Sequence, residues 1–466
     1  MSCCGTASKS SQPLGVEAAC PAPRISDLPV VVIGAGPVGL AAAAELLARG
    51  LTPLVLEAGA AAGTHLRDWG HVRFFSPWSY ATNRAAVALL RQTGWQAPDP
   101  EAFPTGDELV ERYLAPLAAH PAIAPHLRFG QRVVAVARRV NGKVRDAGRG
   151  EQPFEVRAED AEGRETRVLA RAVIDASGTW SRPNPAGASG LPALGETALA
   201  HRIRYAMPDV LGRERARYAG RRVAVLGGGH SAAGTLIDLA RLAEEVPGTE
   251  IVWVLRRRDF TAVFGSAQDQ LSQRGALGQR LKALMETGRL RLVAPFAVDS
   301  IEAQEGRLLL RDAASLQTVA ADELVVATGF RPDLGFLGEL RLDLDPALDC
   351  PRVLGPLIDP NLHSCGTVRP HGARELEQPE AGFYLAGMKS YGRAPTFLLL
   401  TGYEQVRSIA AALAGDRAAA ERVELVLPET GVCSGPAESE TAPACCPPAA
   451  GKTRVPAGRE VVAAVE

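Results

Sequence analysis

Residues 30–40 read Val30-Val-Val-Ile-Gly34-Ala-Gly36-Pro37-Val-Gly39-Leu40. The apolar run predicts a buried strand, the glycines predict a tight turn, and the residues after them predict a helix. Gly34 permits the turn, Gly36 lets the backbone approach a ligand, and Gly39 permits close packing of helix on strand. The N-terminus of such a helix offers free N–H groups and a positive dipole end to a phosphate.

An acidic residue ends the next predicted strand, which runs from Pro53 to Glu57. Glu57 lies 21 residues after Gly36, the spacing at which a carboxylate accepts hydrogen bonds from the ribose hydroxyls of a dinucleotide. Together the strand, turn, helix and acid predict a dinucleotide-binding βαβ unit. The alternative is a glycine-rich loop in an unrelated α/β fold.

A second glycine turn repeats this pattern in Val223-Ala-Val-Leu-Gly227-Gly-Gly229-His-Ser231-Ala232. Here Ala232 occupies the third small position. The strand that follows ends in the basic run 256–258, where the first unit has its acid. A carboxylate would repel a ribose 2′-phosphate, whereas guanidinium groups bind it in bidentate fashion. Arg256 and Arg257 are therefore predicted to select NADPH over NADH, the alternative being a solvated basic strand end.

The two units end in opposite charges, and this contrast predicts two different cofactors. One dinucleotide-binding unit ends in an acidic residue and the other ends in basic residues. This combination suits a tightly bound FAD and an NADPH that binds transiently and reduces it. The fold class expected is α/β with two Rossmann-like domains. We expect an FAD-binding domain at 28–185 and 320–415, an NADPH-binding domain inserted at 186–319, and disordered tails at 1–27 and 428–466.

Composition narrows the possible partners. The chain has 466 residues, 46% of them hydrophobic, and a net charge of −1, so no global field favours nucleic acid or a membrane. The apolar stretch 30–47 contains a glycine turn and Glu45, which fit a strand and a buried helix better than a membrane span. Without a secretory signal in 1–27, the cysteines are read as thiols in a reducing cytoplasm. No structural metal is expected because zinc-type spacing of Cys and His is missing.

Several segments resemble the class B flavin monooxygenases over about residues 28–415. They are Phe103-Pro104-Thr105, the run from Asp175 to Asn184, the run from Ala327 to Asp333, and Gly382 to Gly387. This resemblance implies a monooxygenase with FAD and NADPH. The full set of predicted cofactor-binding residues is Gly34, Gly36, Pro37, Gly39, Glu57, Val134, Ser177, Gly178, Gly227, Gly229, Ser231, Ala232, Arg256, Arg257, Gly329 and Gly387.

The chain departs from that family at two places. The family motif before the second cradle is matched by His201 and Tyr205, but its first half is not, since Gly195 and Thr197 replace Phe and Gly. Met388 stands where many members have Asp. Flavin contacts at this point must therefore come from the backbone or from elsewhere.

A narrower resemblance links the chain to flavoproteins of bacterial arsenic-resistance operons. It rests on the segments 361–366, 389–396 and 428–433. Trivalent arsenic and antimony prefer thiolate sulfur. Cys365, which lies between His363 and His371, is the candidate substrate-handling residue. The candidate metalloid thiols are Cys3, Cys4, Cys433, Cys445 and Cys446. Alternatively, tail cysteines are incidental, and a lone buried Cys is a small hydrophobe.

In the predicted reaction, NADPH first reduces FAD, and the reduced FAD then reacts with O2. The activated oxygen oxidises a small soft nucleophile such as a trivalent arsenical or antimonite. Candidate pocket residues are Trp69, Arg73 and 391–393. The alternatives are electron transfer to a metalloid or quinone without oxygen insertion, and a thiol-based metalloid-binding protein. A disulfide relay is disfavoured because 63–80 and 221–310 contain no cysteine. A homodimer is possible, with no nucleic acid or membrane partner.

Overall fold

The structure is a computed structural model, and it describes residues 24–258, 264, 272–362, 368–395 and 397–425. Its strands are β1 (Val30–Ile33), β2 (Pro53–Leu56), β3 (Leu127–Arg128), β4 (Arg132–Arg138), β5 (Phe154–Glu159), β6 (Glu165–Ala170), β7 (Ala172–Asp175), β8 (Ile203–Tyr205), β9 (Arg222–Leu226), β10 (Glu250–Val254), β11 (Arg291–Val293), β12 (Val298–Gln304), β13 (Arg307–Asp312), β14 (Thr318–Ala321), β15 (Glu323–Val326) and β16 (Phe383–Leu385).

Its α-helices are α1 (Pro37–Leu47), α2 (Thr64–Asp68), α3 (Trp78–Ala81), α4 (Arg84–Leu90), α5 (Gly106–Leu109), α6 (Ala115–Ala118), α7 (Arg215–Tyr218), α8 (His230–Glu245), α9 (Ser272–Glu286), α10 (Gly355–Ile358), α11 (Ala373–Leu376), α12 (Leu399–Leu413) and α13 (Arg417–Glu421). A π-helical turn, Val110–Leu114, joins α5 to α6. None of the described helices is long and apolar enough to cross a membrane.

Two five-stranded parallel sheets organise the described part of the chain. The first has the order β16-β7-β1-β2-β3, and the second has the order β11-β10-β9-β15-β8. The inner strands β1, β2 and β7 are buried along their whole length, as their continuous apolar runs predict for parallel strands covered on both faces. The expected class, α/β with two Rossmann-like sheets, is confirmed.

Two small antiparallel sheets accompany the parallel ones. They have the orders β4-β5-β6 and β12-β13-β14. Strand β15, 323–326, pairs with β9 in the second sheet, whereas the sequence assigned residues from 320 onward to the first domain. That boundary was placed a few residues too early, because the chain completes the second sheet before it crosses back. The rest of the domain division stays a prediction.

Helix α1 shows why the first sheet is so tightly built. It is almost entirely apolar and buried, since it lies between the sheet and α12. A Cβ at Gly39 of α1 would stand 1.9 Å from the carbonyl oxygen of Gly34. Only glycine therefore allows this helix to sit as close to the turn before it as it does.

Candidate functional site

The first glycine turn forms a cradle in which one position is left open. Gly34 has φ +98°, and a Cβ there would stand 2.9 Å from the Ala176 carbonyl oxygen. A Cβ at Gly36 would meet nothing within 4 Å. Pro37 is the first residue of α1, and the first helical hydrogen bond runs from Leu40 N to Gly36 O, 3.0 Å. The backbone is thus accessible where a dinucleotide phosphate binds a helix N-terminus.

Glu57 follows β2, and its carboxylate links the glycine turn to the loop after β2 through two hydrogen bonds. Its Oε2 accepts a hydrogen bond from Ala35 N at 2.6 Å, and its Oε1 accepts one from Gly59 N at 2.7 Å. The carboxylate is buried, yet it lines the cavity described below. An ionised carboxylate has about four acceptor sites. Glu57 can therefore fix the turn and still accept hydrogen bonds from ribose hydroxyls.

The second cradle repeats the first. Gly227 has φ +136°, and a Cβ there would stand 2.3 Å from the Ala327 carbonyl oxygen. A Cβ at Gly229 would meet nothing within 4 Å, and α8 begins at the next residue. Ala232 is buried in α8. A side chain of the neighbouring strand β10 fixes the turn, because the Trp253 indole N–H donates a hydrogen bond to Gly227 O at 2.8 Å.

The basic residues after β10 lie at the protein surface. Arg256, Arg257 and Arg258 are exposed, and Arg256 Nη1 donates to the Ala188 carbonyl oxygen at 3.0 Å. None of the three lines the main cavity, which is consistent with a phosphate held at the outer end of a cofactor. Their role in binding the 2′-phosphate stays a prediction.

A cavity of about 960 Å³ extends from the first cradle to His230 and Ser231, the first residues of α8, and its volume is at the upper end of the ~300–1,000 Å³ usual for ligand sites. Gly227 and Gly229 of the second cradle do not line it. From the predicted cofactor set, the cavity is lined by Gly34, Gly36, Pro37, Glu57, Ser177, Gly178, Ser231 and Gly387. Its walls include aromatic side chains: Trp180 stacks on Phe330 with ring centroids 4.8 Å apart, and Tyr391 meets Phe397 edge-on at 5.2 Å.

Not every predicted residue reaches this cavity. Val134 lies at an irregularity in the β4–β5 register, away from the cavity wall. Gly329 has φ +89° beside Asn184, and it too is absent from the lining. Among the pocket candidates, Trp69, Arg73 and Tyr391 line the cavity. Gly392 and Arg393 do not, so their expected pocket role is corrected.

Arg393 is turned away by an ion pair with Asp349. Arg73, by contrast, donates to the Phe103 carbonyl oxygen at the edge of the cavity.

Cys350, a described body cysteine, is buried, and burial raises the pKa of its thiol to about 12, so it is unreactive. Cys365, His363 and the tail thiols Cys3, Cys4, Cys433, Cys445 and Cys446 lie outside the described residues.

One face of α8 supplies polar lining that the sequence reasoning missed. Thr235, Asp238 and Arg241 of this helix line the cavity in succession after the predicted residue Ser231, at spacings of three to four residues. Opposite them lies His71, whose Nδ1 is buried without a hydrogen-bond partner in the structure. Burial raises the pKa of Asp238, and the positive charge of Arg241 opposes that rise. Helical periodicity from the second cradle was the signal that could have identified this face.

A buried ion pair behind the first cradle was also missed. Lys389 and Asp175 are 1% and 0% exposed, and Lys389 Nζ lies 2.9 Å from Asp175 Oδ2. Lys389 also donates to Ser177 Oγ at 2.9 Å. The two residues are more than 200 positions apart in the chain, so no local pattern connects them.

Comparisons with known proteins agree with this geometry. Residues 31–349 match the family model of the pyridine nucleotide-disulphide oxidoreductases. The chain is 27% identical to a ferredoxin–NADP reductase of Rhodospirillum rubrum over 82% of its own length and 89% of the relative's. Several other ferredoxin–NADP reductases are matched over only about half of their length.

Among solved structures, bacillithiol disulfide reductase from Bacillus cereus is similar with a TM-score of 0.62 and 19% identity, covering 83% of this chain and 99% of that one. A flavin-containing monooxygenase from Stenotrophomonas maltophilia is similar with a TM-score of 0.52 and 22% identity, covering 83% and 98%. At these identities the structural likeness shows the fold alone. The family match, which spans more than half of the chain, shows the class of enzyme and its cofactors. The chain belongs to the pyridine nucleotide-disulphide oxidoreductase family and is an oxidoreductase that uses FAD and NADPH.

Proposed function

We propose that this flavoprotein is a monooxygenase whose substrate is a small soft nucleophile, with trivalent arsenicals and antimonite as the preferred class. One observation carries the proposal. The cavity that extends from the first cradle to the start of α8 is lined in part by aromatic side chains, and no cysteine lines it within the described part of the chain. Relay of electrons through a protein disulfide requires a cysteine pair beside the flavin. A disulfide relay is therefore disfavoured, and we infer that the electrons leave through a small molecule that enters the cavity.

The residues present fit both cofactors. Gly36 and Glu57 would hold the phosphate and ribose of FAD, while Gly229 with Arg256 and Arg257 would hold NADPH. FAD held there would supply the redox chemistry between NADPH and O2, in which one oxygen atom would be transferred to the substrate and the other would leave as water.

The chain itself supplies shape and exclusion of water. The stacked pair Trp180 and Phe330, together with Tyr391, forms an apolar part of the cavity wall, which we propose limits the access of water to the reacting groups. A dry site strengthens electrostatic interactions and limits wasteful hydrolysis. His71 and Asp238 are two of several titratable side chains that line this cavity, together with Glu57, His65 and His230.

Oxygen stoichiometry tests the proposal. The flavin-loaded protein is mixed with NADPH and a panel of arsenite, methylarsenite, antimonite, thioethers and amines. We expect a metalloid to consume one O2 per NADPH and to appear as the pentavalent product by mass spectrometry. Turnover that continues without O2 would instead establish the second candidate, a reductase, which the 27% identity to a ferredoxin–NADP reductase favours.

Thiol participation is tested separately. The variant Cys365→Ser should lose stimulation by metalloids but keep that by thioethers. Replacing Cys3, Cys4, Cys433, Cys445 and Cys446 together should raise the metalloid concentration needed for half-maximal rate without changing the maximal rate. If neither variant responds differently from the parent protein, the cysteines have no part in substrate handling.

A further inference from the structure

The turn after β16, the 3-10 helical segment Gly387–Tyr391, has one side that faces the cavity and one side that faces the protein interior. Gly387, Met388 and Tyr391 line the cavity. Lys389 and Ser390 are fully buried and contact the protein behind it. Many class B flavin monooxygenases carry a carboxylate where this chain has Met388. On its cavity side, this turn therefore presents backbone atoms and no carboxylate.

Gln405 of α12 holds Gly387 from behind. Its Oε1 accepts a hydrogen bond from Gly387 N at 2.7 Å, and its Nε2 donates to Ser390 Oγ at 2.9 Å. Ser390 Oγ in turn donates to Gly387 O at 2.7 Å. Both polar backbone atoms of Gly387 are therefore bound by buried side chains.

His371 fixes the orientation of the Gln405 amide. His371 Nδ1 lies 3.0 Å from the Arg369 carbonyl oxygen, which can only accept, so Nδ1 carries the proton. Nε2 must then accept from Gln405 Nε2, 2.9 Å away. Burial lowers the pKa of His371, with Glu375 opposing the shift, which keeps the ring neutral as this bonding requires.

Lys389 ties the same turn to the strand end of β7. Its Nζ contacts Asp175 Oδ2 and Ser177 Oγ, each at 2.9 Å, and lies 4.6 Å from the centre of the Phe336 ring. Asp175 Oδ1 accepts from Ser177 Oγ at 2.6 Å and from Ser177 N at 3.1 Å. Ser177 lines the cavity, so the ion pair joins two of its walls.

The energetics indicate a role beyond stability. A fully buried ion pair is often no more stabilising than apolar residues of the same volume, because desolvation offsets the attraction. Asp175 Oδ2 has only its ion-pair contact with Lys389 among the described residues. The polar atoms of Gln405, by contrast, are all hydrogen-bonded, and a satisfied buried network of this kind selects one arrangement of the backbone. At Gly387–Tyr391 that arrangement forms part of the cavity.

We infer that Gln405 and Lys389 are positioning residues, which hold the backbone of Gly387–Tyr391 against the bound flavin. This backbone contact replaces the contact of a carboxylate side chain, which the chain lacks because residue 388 is Met. The inference rests on FAD occupying the first cradle as proposed, and it does not depend on oxygen insertion. The backbone of this turn is the contact, and the two buried side chains set its position.

The experiment compares Gln405→Leu and Lys389→Met with Glu380→Gln as a matched control. Glu380 also forms a buried ionic cluster, with Arg138 and Arg149, but none of these residues lines the cavity. The measurements are the melting temperature of the apoprotein, the Kd for FAD by titration, and the visible absorbance and circular dichroism of bound flavin.

We expect the two wall variants to weaken FAD binding at least tenfold and to shift the visible flavin bands. The control should melt at a lower temperature with Kd and spectrum unchanged. If the wall variants keep the parent Kd and spectrum, or if the control weakens FAD equally, the inference is wrong. Should a wall variant fail to fold, Ser390→Ala removes only the bonds to Gln405 and Gly387 and should give a smaller change in the same direction.

A conservative variant adds a readout that a general loss of structure cannot give. Gln405→Glu keeps the acceptor for Gly387 N, but it replaces the amide donor to Ser390 Oγ with an acceptor and needs a proton on His371 Nε2. We expect FAD affinity within about threefold of the parent protein and a raised His371 pKa by NMR titration. A loss as large as that of Gln405→Leu contradicts the inference. All of these measurements omit substrate and O2, so failure of the proposed monooxygenase activity leaves them unaffected, and the reverse also holds.

Discussion

Replacing Gly36 with Ala should separate cofactor binding from folding. Gly36 has φ −77° and ψ −173°, which any residue adopts, and a Cβ there meets nothing within 4 Å. The apoprotein should therefore fold normally and gain roughly 0.4–1 kcal/mol, because Ala restricts the unfolded chain more than Gly does. The new methyl group occupies the open position of the cradle, where the dinucleotide phosphate is predicted to lie.

The expected loss of affinity follows from the hydrogen bonds that a displaced phosphate would give up. Hydrogen bonds to a charged group contribute about 1.5–3 kcal/mol each. Loss or lengthening of two such bonds costs about 3 kcal/mol, and since ~1.4 kcal/mol corresponds to a factor of ten, the Kd for FAD should rise about 100-fold. Gly229→Ala should do the same to NADPH and leave FAD bound, since Gly229 is open in the same way.

The assay combines thermal melting of apoprotein with titration of FAD and NADPH. Gly39→Ala is the contrasting variant, because its Cβ would stand 1.9 Å from a carbonyl oxygen and should lower both stability and flavin affinity. If Gly36→Ala melts several degrees below the parent protein, or if it binds FAD as tightly, then the open position is not where the phosphate lies.

Three further outcomes are expected. Replacing both Arg256 and Arg257 with Ala should raise KM for NADPH roughly 10- to 100-fold and leave KM for NADH unchanged, since only the former has a phosphate to lose; equal effects on both would exclude the specificity role. Cys350 should resist iodoacetamide at pH 8 until the protein is unfolded, because its thiol pKa of about 12 leaves almost no thiolate; mass spectrometry detects the labelling. Because burial lowers the pKa of His371, its contribution to stability is complete above the unfolded value of about 6.5 and is lost as pH falls toward the folded value. His371→Asn should therefore flatten the fall of melting temperature below pH 6.5, and an unchanged slope would contradict this.

The sequence predicted the elements with local signals well. The strands Val30–Ile33 and Arg222–Leu226 are found where the apolar runs before Gly34 and Gly227 predict them. These strands are apolar on both faces and end at glycine or at a turn, so their limits are set by neighbouring residues. The glycine roles were predictable for the same reason, since each depends on φ or on a close approach within one βαβ unit.

What could not be predicted depends on residues far apart in the chain. Lys389 meets Asp175 only because β16 and β7 are neighbours, and Gln405 reaches Gly387 only because α12 packs behind that turn. Arg393 was expected in the pocket, but Asp349 pairs with it elsewhere. No period or spacing in the sequence carries these pairings, because strand order and helix packing determine them.

The register of the sheets explains why both cofactor sites are built alike and yet differ in specificity. In the first sheet Ile33 pairs with Asp175, which places Gly34 beside the Ala176 carbonyl. In the second, Leu226 pairs with Val326, which places Gly227 beside the Ala327 carbonyl. Each glycine turn is thus closed on one side by the end of a parallel neighbour and left open at its second glycine.

Because this geometry is the same in both units, the glycines cannot determine which cofactor binds where. The distinction must arise one strand further along, where Glu57 follows β2 in the first unit and Arg256 to Arg258 follow β10 in the second. Reversing the charge at the end of β10 should therefore alter cofactor choice without disturbing the second turn. Since Glu57 also binds Ala35 N and Gly59 N, charge reversal is structurally tolerated only in the second unit, where the exposed arginines hold no part of the turn.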